Sequence, residues 1–146
     1  MITNIKDQLI RDEGVRLQKY PDSRGFDTIG VGHNLDANPL PFDISEGVTF
    51  AQASQILDDD LARVTSKLFA DLPWLKNLDT VRQGVFLNMA FNMGEGGILE
   101  FHHDLADTQA GNYVKAAADM KASEWYTQVG ARAQRLCQQM ISGEWQ

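Results

Sequence analysis

The sequence has a single cysteine, Cys137, among 146 residues, so no disulfide can form within the chain. A fold without disulfides depends on its packed core, which is typical of proteins in a reducing compartment. The cysteine and the three histidines also lack the spacing of a zinc site. We therefore expect no metal.

Long apolar runs and excess positive charge are missing as well. No apolar run reaches the roughly 18 residues of a membrane span, and segment 1–14 lacks the apolar core of a standard signal peptide. With 13 basic and 20 acidic residues the net charge is −7, which disfavours general binding to nucleic acid or anionic membranes.

The remaining composition is that of one folded domain. A length of 146 residues is a common size for a single domain. With 43% hydrophobic and 23% charged residues, the chain differs from disordered sequences.

The first third of the chain mixes helical and extended patterns. Apolar positions and turn residues predict, in order, a helix over 5–13, a strand over 15–20, a turn over 21–25, a returning strand over 26–32 and a loop over 34–48. Gly14 is suited to end the first helix, and Pro21 to start the turn.

The rest of the chain is helical in pattern. Thr49 and Gln52 form a capping box before a helix over 50–68, and Asp79 can cap an apolar helix over 80–93. Shorter helices are predicted over 99–108, 112–122 and 130–142. The sequence thus predicts one α+β domain over 1–146, with a β-containing lobe over 1–48, the connecting helix 50–68 and an all-α lobe over 69–146.

Two carboxylic acids in the first third have contrasting surroundings. Glu13 lies at the end of the predicted first helix, where the helix dipole favours the protonated form that a general acid needs. Asp22 lies in the turn, where solvent keeps a carboxylate ionised. Such a pair could divide acid and base roles in glycoside hydrolysis, although two solvated surface residues would also fit these positions.

A longer motif decides between these readings. It comprises Arg11-Asp12-Glu13-Gly14, Leu17, Tyr20, Asp22-Ser23-Arg24-Gly25 and Thr28-Ile29-Gly30-Val31-Gly32-His33. This run closely resembles the catalytic signature of the phage-type lysozymes, the muramidase family of the T-even phage endolysin. The resemblance continues in the same order through Asn88–Glu95, Ser123–Tyr126, Arg132, Arg135 and Gly143–Trp145.

The resemblance implies a lysozyme-like α+β fold with a cleft between the two lobes. It implies hydrolysis of the β-1,4 bond between N-acetylmuramic acid and N-acetylglucosamine in peptidoglycan, with inversion and without a cofactor. Glu13 matches the general acid, Asp22 the second carboxylate, and Thr28 the threonine that helps to place the attacking water. For inversion we expect the two carboxyl groups to be roughly 6.5–9.5 Å apart.

Further matches concern supporting and substrate-binding residues. Arg132 matches an arginine near the catalytic glutamate, although a solvated arginine is the alternative. His33 matches a histidine that pairs with an aspartate of the long helix, here Asp60, and we interpret this pair as structural. Phe91 matches an aromatic residue facing the cleft, and a core position is equally compatible with it. Three positions that align with substrate contacts differ in residue type from the family, namely Asn34, Asp104 and Asp119.

The same resemblance implies a monomer that acts on bacterial peptidoglycan in cell lysis. It would stay in the host cytoplasm until it is released to the periplasm and cell wall. Release would depend on a holin-type protein that permeabilises the inner membrane, without stable insertion of this chain. Two alternatives stay open at this point, a lytic transglycosylase and a catalytically silent peptidoglycan-binding relative. The intact Glu13, Asp22 and Thr28 argue against both.

Overall fold

The computed structural model describes the backbone of residues 1–146 and every side chain except that of Glu95. The fold is α+β, as predicted, with a small antiparallel sheet near the N-terminus and a larger helical part. The elements are α1 (Ile5–Glu13), β1 (Arg16–Pro21), β2 (Asp27–Gly30), β3 (His33–Asn34), α2 (Phe50–Asp71), a 3₁₀ helix (Pro73–Asn77), α3 (Thr80–Met93), α4 (Glu95–Ile98), α5 (His102–Gln109), α6 (Tyr113–Lys121), α7 (Glu124–Val129) and α8 (Ala131–Ser142).

Local sequence signals set both ends of α1. Asn4 Oδ1 accepts a hydrogen bond from the backbone N–H of Asp7 at 2.9 Å and so caps the first turn. Gly14 follows the last residue with φ of 74°, a conformation that glycine adopts without strain. The predicted helix over 5–13 is confirmed.

The three strands lie in the order β1-β2-β3, and both neighbouring pairs are antiparallel. Thr28 on the central strand lies opposite Tyr20 on one side and Asn34 on the other. The predicted returning strand over 26–32 is too long. Because Gly30 and Gly32 have φ of 67° and 64°, β2 ends at Gly30 and the chain reverses into β3.

Residues Leu9–Arg63 form one of two compact units. Its core consists of the buried residues Ile29, Val48, Ala53 and Ile56. The predicted capping box begins α2, since Thr49 N–H donates to Gln52 Oε1 at 2.8 Å and Gln52 N–H donates to Thr49 Oγ1 at 3.1 Å. The helix ends at Asp71, three residues beyond the predicted end.

The second unit comprises Met1–Gln8 and Val64–Gln146. Its central element is α3, which Asp79 caps by accepting from the Arg82 N–H at 3.0 Å, and whose residues Gly84 to Ala90 are buried. The helices α4 and α7 are absent from the predicted set, while α3, α6 and α8 agree with it within a residue. No helix in the described part of the chain is long and apolar enough to cross a membrane.

Candidate active site

Glu13 is the last residue of α1 and is partly buried. Its carboxyl group lies against Gly32, where an added Cβ would come within 2.9 Å of Glu13 Oε2. A side chain at this position would displace the carboxyl group. The glycine therefore leaves room for the Glu13 side chain and also provides the positive φ of the β2–β3 turn.

Asp22 lies in the turn between β1 and β2, where the backbone holds its side chain in place. Its Oδ1 accepts hydrogen bonds from the backbone N–H groups of Arg24 and Phe26, each at 2.9 Å. The Asp22 N–H in turn donates to the Phe26 carbonyl oxygen at 2.9 Å. These bonds orient the carboxylate in a partly exposed turn.

Thr28 is buried in the central strand, with 3% of its surface exposed. Its hydroxyl donates to the Phe26 carbonyl oxygen at 2.9 Å, so the lone pairs of Oγ1 remain to accept a hydrogen bond from a bound water. The Phe26 carbonyl oxygen thus accepts a hydrogen bond from the Thr28 hydroxyl, and the Phe26 N–H donates one to Asp22 Oδ1. One residue of the hairpin therefore fixes both side chains.

The pKa of Tyr20 depends on burial and on the charges around the phenol. Burial raises the pKa of its phenol, the negative charges of Glu13 and Asp22 raise it further, and Arg16 opposes them. The Arg16 guanidinium lies over the Tyr20 ring, 4.4 Å from its centroid. Glu13 and Asp22 thus both act on one phenol. From the sequence, Tyr20 was named only as one residue of the motif. Its position two residues before Asp22 is the signal that could have marked it as a neighbour of the site.

His33 and Asp60 form the predicted pair. His33 Nδ1 lies 2.7 Å from Asp60 Oδ2, and Nε2 lies 2.7 Å from the Asn38 carbonyl oxygen. Burial lowers the pKa of His33, but the hydrogen bond and the charge of Asp60 raise it more, so the net shift is upward. Arg63 lies 3.6 Å from Asp60 Oδ1. Both partners are buried, which favours the structural interpretation.

Asn34 has a local role in the chain. Its Oδ1 accepts from the backbone N–H groups of Asp36 and Ala37, at 2.9 and 3.0 Å. These bonds shape the start of the loop after β3. Its contact with substrate stays a prediction.

Arg132 and Phe91 lie in the second unit. The Arg132 Nε donates to Asn88 Oδ1 at 2.7 Å, so this side chain is anchored on α3. Phe91 is partly buried and packs against the main core, in line with the core alternative. Asn88 also donates to Gln8 Oε1 at 3.0 Å, a buried polar contact that the apolar pattern of α3 did not reveal.

Asp104 and Asp119 come together in the second unit. Both line the same cavity, whose volume is about 640 Å³. Burial raises the pKa of both side chains, and that of Asp104 reaches about 7. The family resemblance proposed both positions, but their placement in one cavity wall and the burial of Asp104 were not predicted.

Comparisons with known proteins identify the family of the chain. A probable T4-type lysozyme of Dictyostelium discoideum is 30% identical over 98% of this chain and 96% of its own length. The pre-baseplate central spike protein of Enterobacteria phage T4 is 29% identical over 96% of this chain and 28% of its own length. An endolysin of Salmonella phage P22 is 43% identical over 37% of each chain. The family model described as phage lysozyme matches residues 11–139, and the chain therefore belongs to the phage lysozyme family.

Proposed function

We propose that the protein is a muramidase that hydrolyses the β-1,4 bond between N-acetylmuramic acid and N-acetylglucosamine with inversion, and so lyses bacterial cells. Membership in the phage lysozyme family makes it a lysozyme-type glycoside hydrolase that acts on peptidoglycan. The bond, the stereochemistry and the residue roles are the parts that we propose.

In the proposed mechanism, Glu13 is the general acid. Its side chain extends from the last residue of α1, in the segment that carries the motif. The protonated carboxyl group donates its proton to the glycosidic oxygen as the bond to the leaving sugar breaks. The space left by Gly32 lets this side chain take its position beside the sheet.

Asp22 is the proposed base. Two backbone N–H groups donate to its Oδ1 and hold the carboxylate in one orientation. A water bound between this carboxylate and Thr28 Oγ1 would attack the anomeric carbon from the face opposite the leaving group. The proton of that water passes to Asp22, and the anomeric configuration inverts.

The observation that carries the proposal is the hydrogen bonding of the hairpin that bears Asp22 and Thr28. The Phe26 N–H donates to Asp22 Oδ1 and the Phe26 carbonyl oxygen accepts from the Thr28 hydroxyl, each at 2.9 Å, so one residue positions the proposed base and the proposed water-binding hydroxyl. Glu13, whose carboxyl group lies against Gly32, belongs to the same compact unit and to the segment that carries the motif.

A turbidity assay on permeabilised Gram-negative cells tests the role of Glu13. We expect Glu13→Gln to slow clearance by roughly 10²–10⁴-fold, because the amide cannot donate a proton in place of the acid. The matched control is Glu46→Gln, which changes an exposed carboxylate of the same unit and should clear cells at the wild-type rate. Equal clearance by Glu13→Gln and the wild type would refute the assignment.

Product analysis tests the mechanism separately. Proton NMR during the first turnovers should show the α-anomer, as inversion of a β-linkage requires. A β-configured first product would contradict inversion and the water-activating role of Asp22. An anhydro product in mass spectra would instead identify a lytic transglycosylase, whereas no product at all would identify a silent wall-binding protein.

A further inference from the structure

A smaller cavity, of about 380 Å³, lies in the second unit between the 3₁₀ helix and the turn that joins α5 to α6. It borders the last turn of α5 through Thr108 and Gln109, whereas the cavity of about 640 Å³ borders the first turn of that helix. The two cavities share no lining residue, and none of the proposed catalytic groups lines the smaller one. Small-molecule sites in proteins typically measure roughly 300–1,000 Å³, so a single small ligand would fit.

Two aromatic residues of the cavity wall are held in place by neighbouring side chains. Trp74 packs edge to face against the fully buried Phe86, with ring centroids 6.3 Å apart. The Arg82 guanidinium lies over the Tyr113 ring, 3.7 Å from its centroid. Arg82 is itself fixed, because its Nε donates to the Met140 carbonyl oxygen at 2.7 Å. Both rings are therefore pre-organised before any ligand binds.

The polar groups of the cavity wall are neutral. Asn77 and Gln109 are exposed, and their side-chain amides have no hydrogen-bond partner among the described residues. The same is true of the Trp74 indole N–H and the Tyr113 hydroxyl within the described part of the chain. An amide and a hydroxyl can each donate and accept a hydrogen bond. The wall thus offers hydrogen bonds from neutral groups beside two aromatic rings.

These features restrict the chemistry of a ligand. An ion would lack a counter-charge, because no described carboxylate or basic side chain lines the cavity. A purely apolar molecule would cover the amides of Asn77 and Gln109 without replacing the hydrogen bonds that they make with water. A pyranose sugar satisfies both the rings and the amides. The C–H groups of its ring form an apolar face, and neutral hydroxyl groups surround that face.

We propose that this cavity is an accessory saccharide-binding site, in which a pyranose ring packs against Trp74 and Tyr113 while its polar groups bind Asn77 and Gln109. The identification of the saccharide as an N-acetylated sugar of the wall glycan rests on the proposed function. The site takes no part in bond cleavage. It raises the apparent affinity of the protein for a polymer that carries many copies of the sugar.

An NMR titration tests binding without catalysis. The probe is N-acetylglucosamine, and its control is cyclohexanol, an apolar ring of similar size with one hydroxyl group. We expect N-acetylglucosamine to shift the amide resonances of residues 74–78 and 108–113 saturably and to bind there about fivefold more tightly than cyclohexanol. Equal or tighter binding of cyclohexanol, or the absence of saturable shifts in both segments, would overturn the proposal.

Variants locate the interaction. Asn77→Ala and Gln109→Ala each remove one exposed amide, and each should weaken binding of N-acetylglucosamine at these resonances about fivefold. Both should remain folded, because the side chains that they remove are exposed, and circular dichroism verifies this. Gln134→Ala removes an exposed amide of α8 and is the matched control, for which we expect wild-type affinity. Wild-type affinity in both Asn77→Ala and Gln109→Ala would contradict the assignment.

Sedimentation with insoluble peptidoglycan tests the source of the saccharide. Glu13→Gln is the background, so that the wall stays intact. Adding Asn77→Ala and Gln109→Ala to it should lower the fraction of protein that sediments with the wall several-fold, whereas adding Gln134→Ala should not change it. Equal retention would reject the wall glycan as the ligand, whatever the titration shows. Failure of the wild type to cleave peptidoglycan would instead count against the proposed function, and the titration would still decide whether the cavity binds the sugar.

Discussion

The His33–Asp60 pair should make the stability of the protein depend on pH. Asp60 raises the pKa of His33 in the folded state above its unfolded value of about 6.5. The folded protein therefore binds the proton more tightly than the unfolded chain. The stabilisation is fully present below about pH 6.5 and is lost as pH rises through the folded-state pKa.

We expect Asp60→Asn to lower the free energy of unfolding by about 3 kcal/mol below pH 6.5, because a buried His33 cation would lose its partner. The loss should be smaller above the folded-state pKa, where His33 is neutral in both proteins. Urea unfolding across this pH range measures the difference. Asp59→Asn, an exposed change one residue earlier, is the control. A loss that does not vary with pH would contradict the role of the charged pair.

Residue spacing along the chain predicts some of the proposed site residues but not others. Glu13, Asp22 and Thr28 were identified from a motif within one continuous segment, where spacing along the chain restricts spacing in the fold. The relation between Asp104 and Asp119 was not visible in this way. The two side chains meet in one cavity wall because α5 packs against α6, and such tertiary packing has no local signature in the sequence.

Among the elements, the start of α2 allows a direct test of a sequence signal. Thr49→Ala removes the side-chain acceptor of the Gln52 N–H and should destabilise the protein by about 1 kcal/mol. Urea denaturation followed by circular dichroism measures the change. Thr80→Ala, in the first turn of α3, is a matched control, because Asp79 supplies the cap there. If both variants have the same stability, the capping box does not contribute as we argue.

The ends of α1 and the start of α3 were predicted correctly, whereas the end of β2 and the helix α7 were not. The ends of α1 and the start of α3 follow from Asn4, Gly14 and Asp79. The errors in β2 and α7 have a common cause. A glycine can continue a strand, reverse the chain or separate two helices, and Gly130, at φ of 73°, separates α7 from α8. Sequence pattern alone does not distinguish these conformations.

At the scale of the whole molecule, charge and family indicate different partners. A net charge of −7 disfavours polyanions in general, yet peptidoglycan-containing walls are polyanionic. The fold class and family were predictable because several motifs occur in order along the chain. The net charge carries no information about either, and it bears instead on how fast the protein reaches its substrate.

Repulsion between the acidic protein and the polyanionic wall predicts an unusual dependence of the rate on salt concentration. At about 10 mM ionic strength charges interact over roughly 30 Å, and at about 150 mM over roughly 8 Å, so added salt should screen the protein from the wall. We expect kcat/KM for intact walls to rise several-fold over this range, while kcat at saturating wall changes little. The double variant Asp59→Asn with Glu144→Gln removes two exposed negative charges and should be faster at low salt and less salt-dependent. A rate that falls as salt is added would mean that a local basic surface, rather than the net charge, governs the approach to the wall.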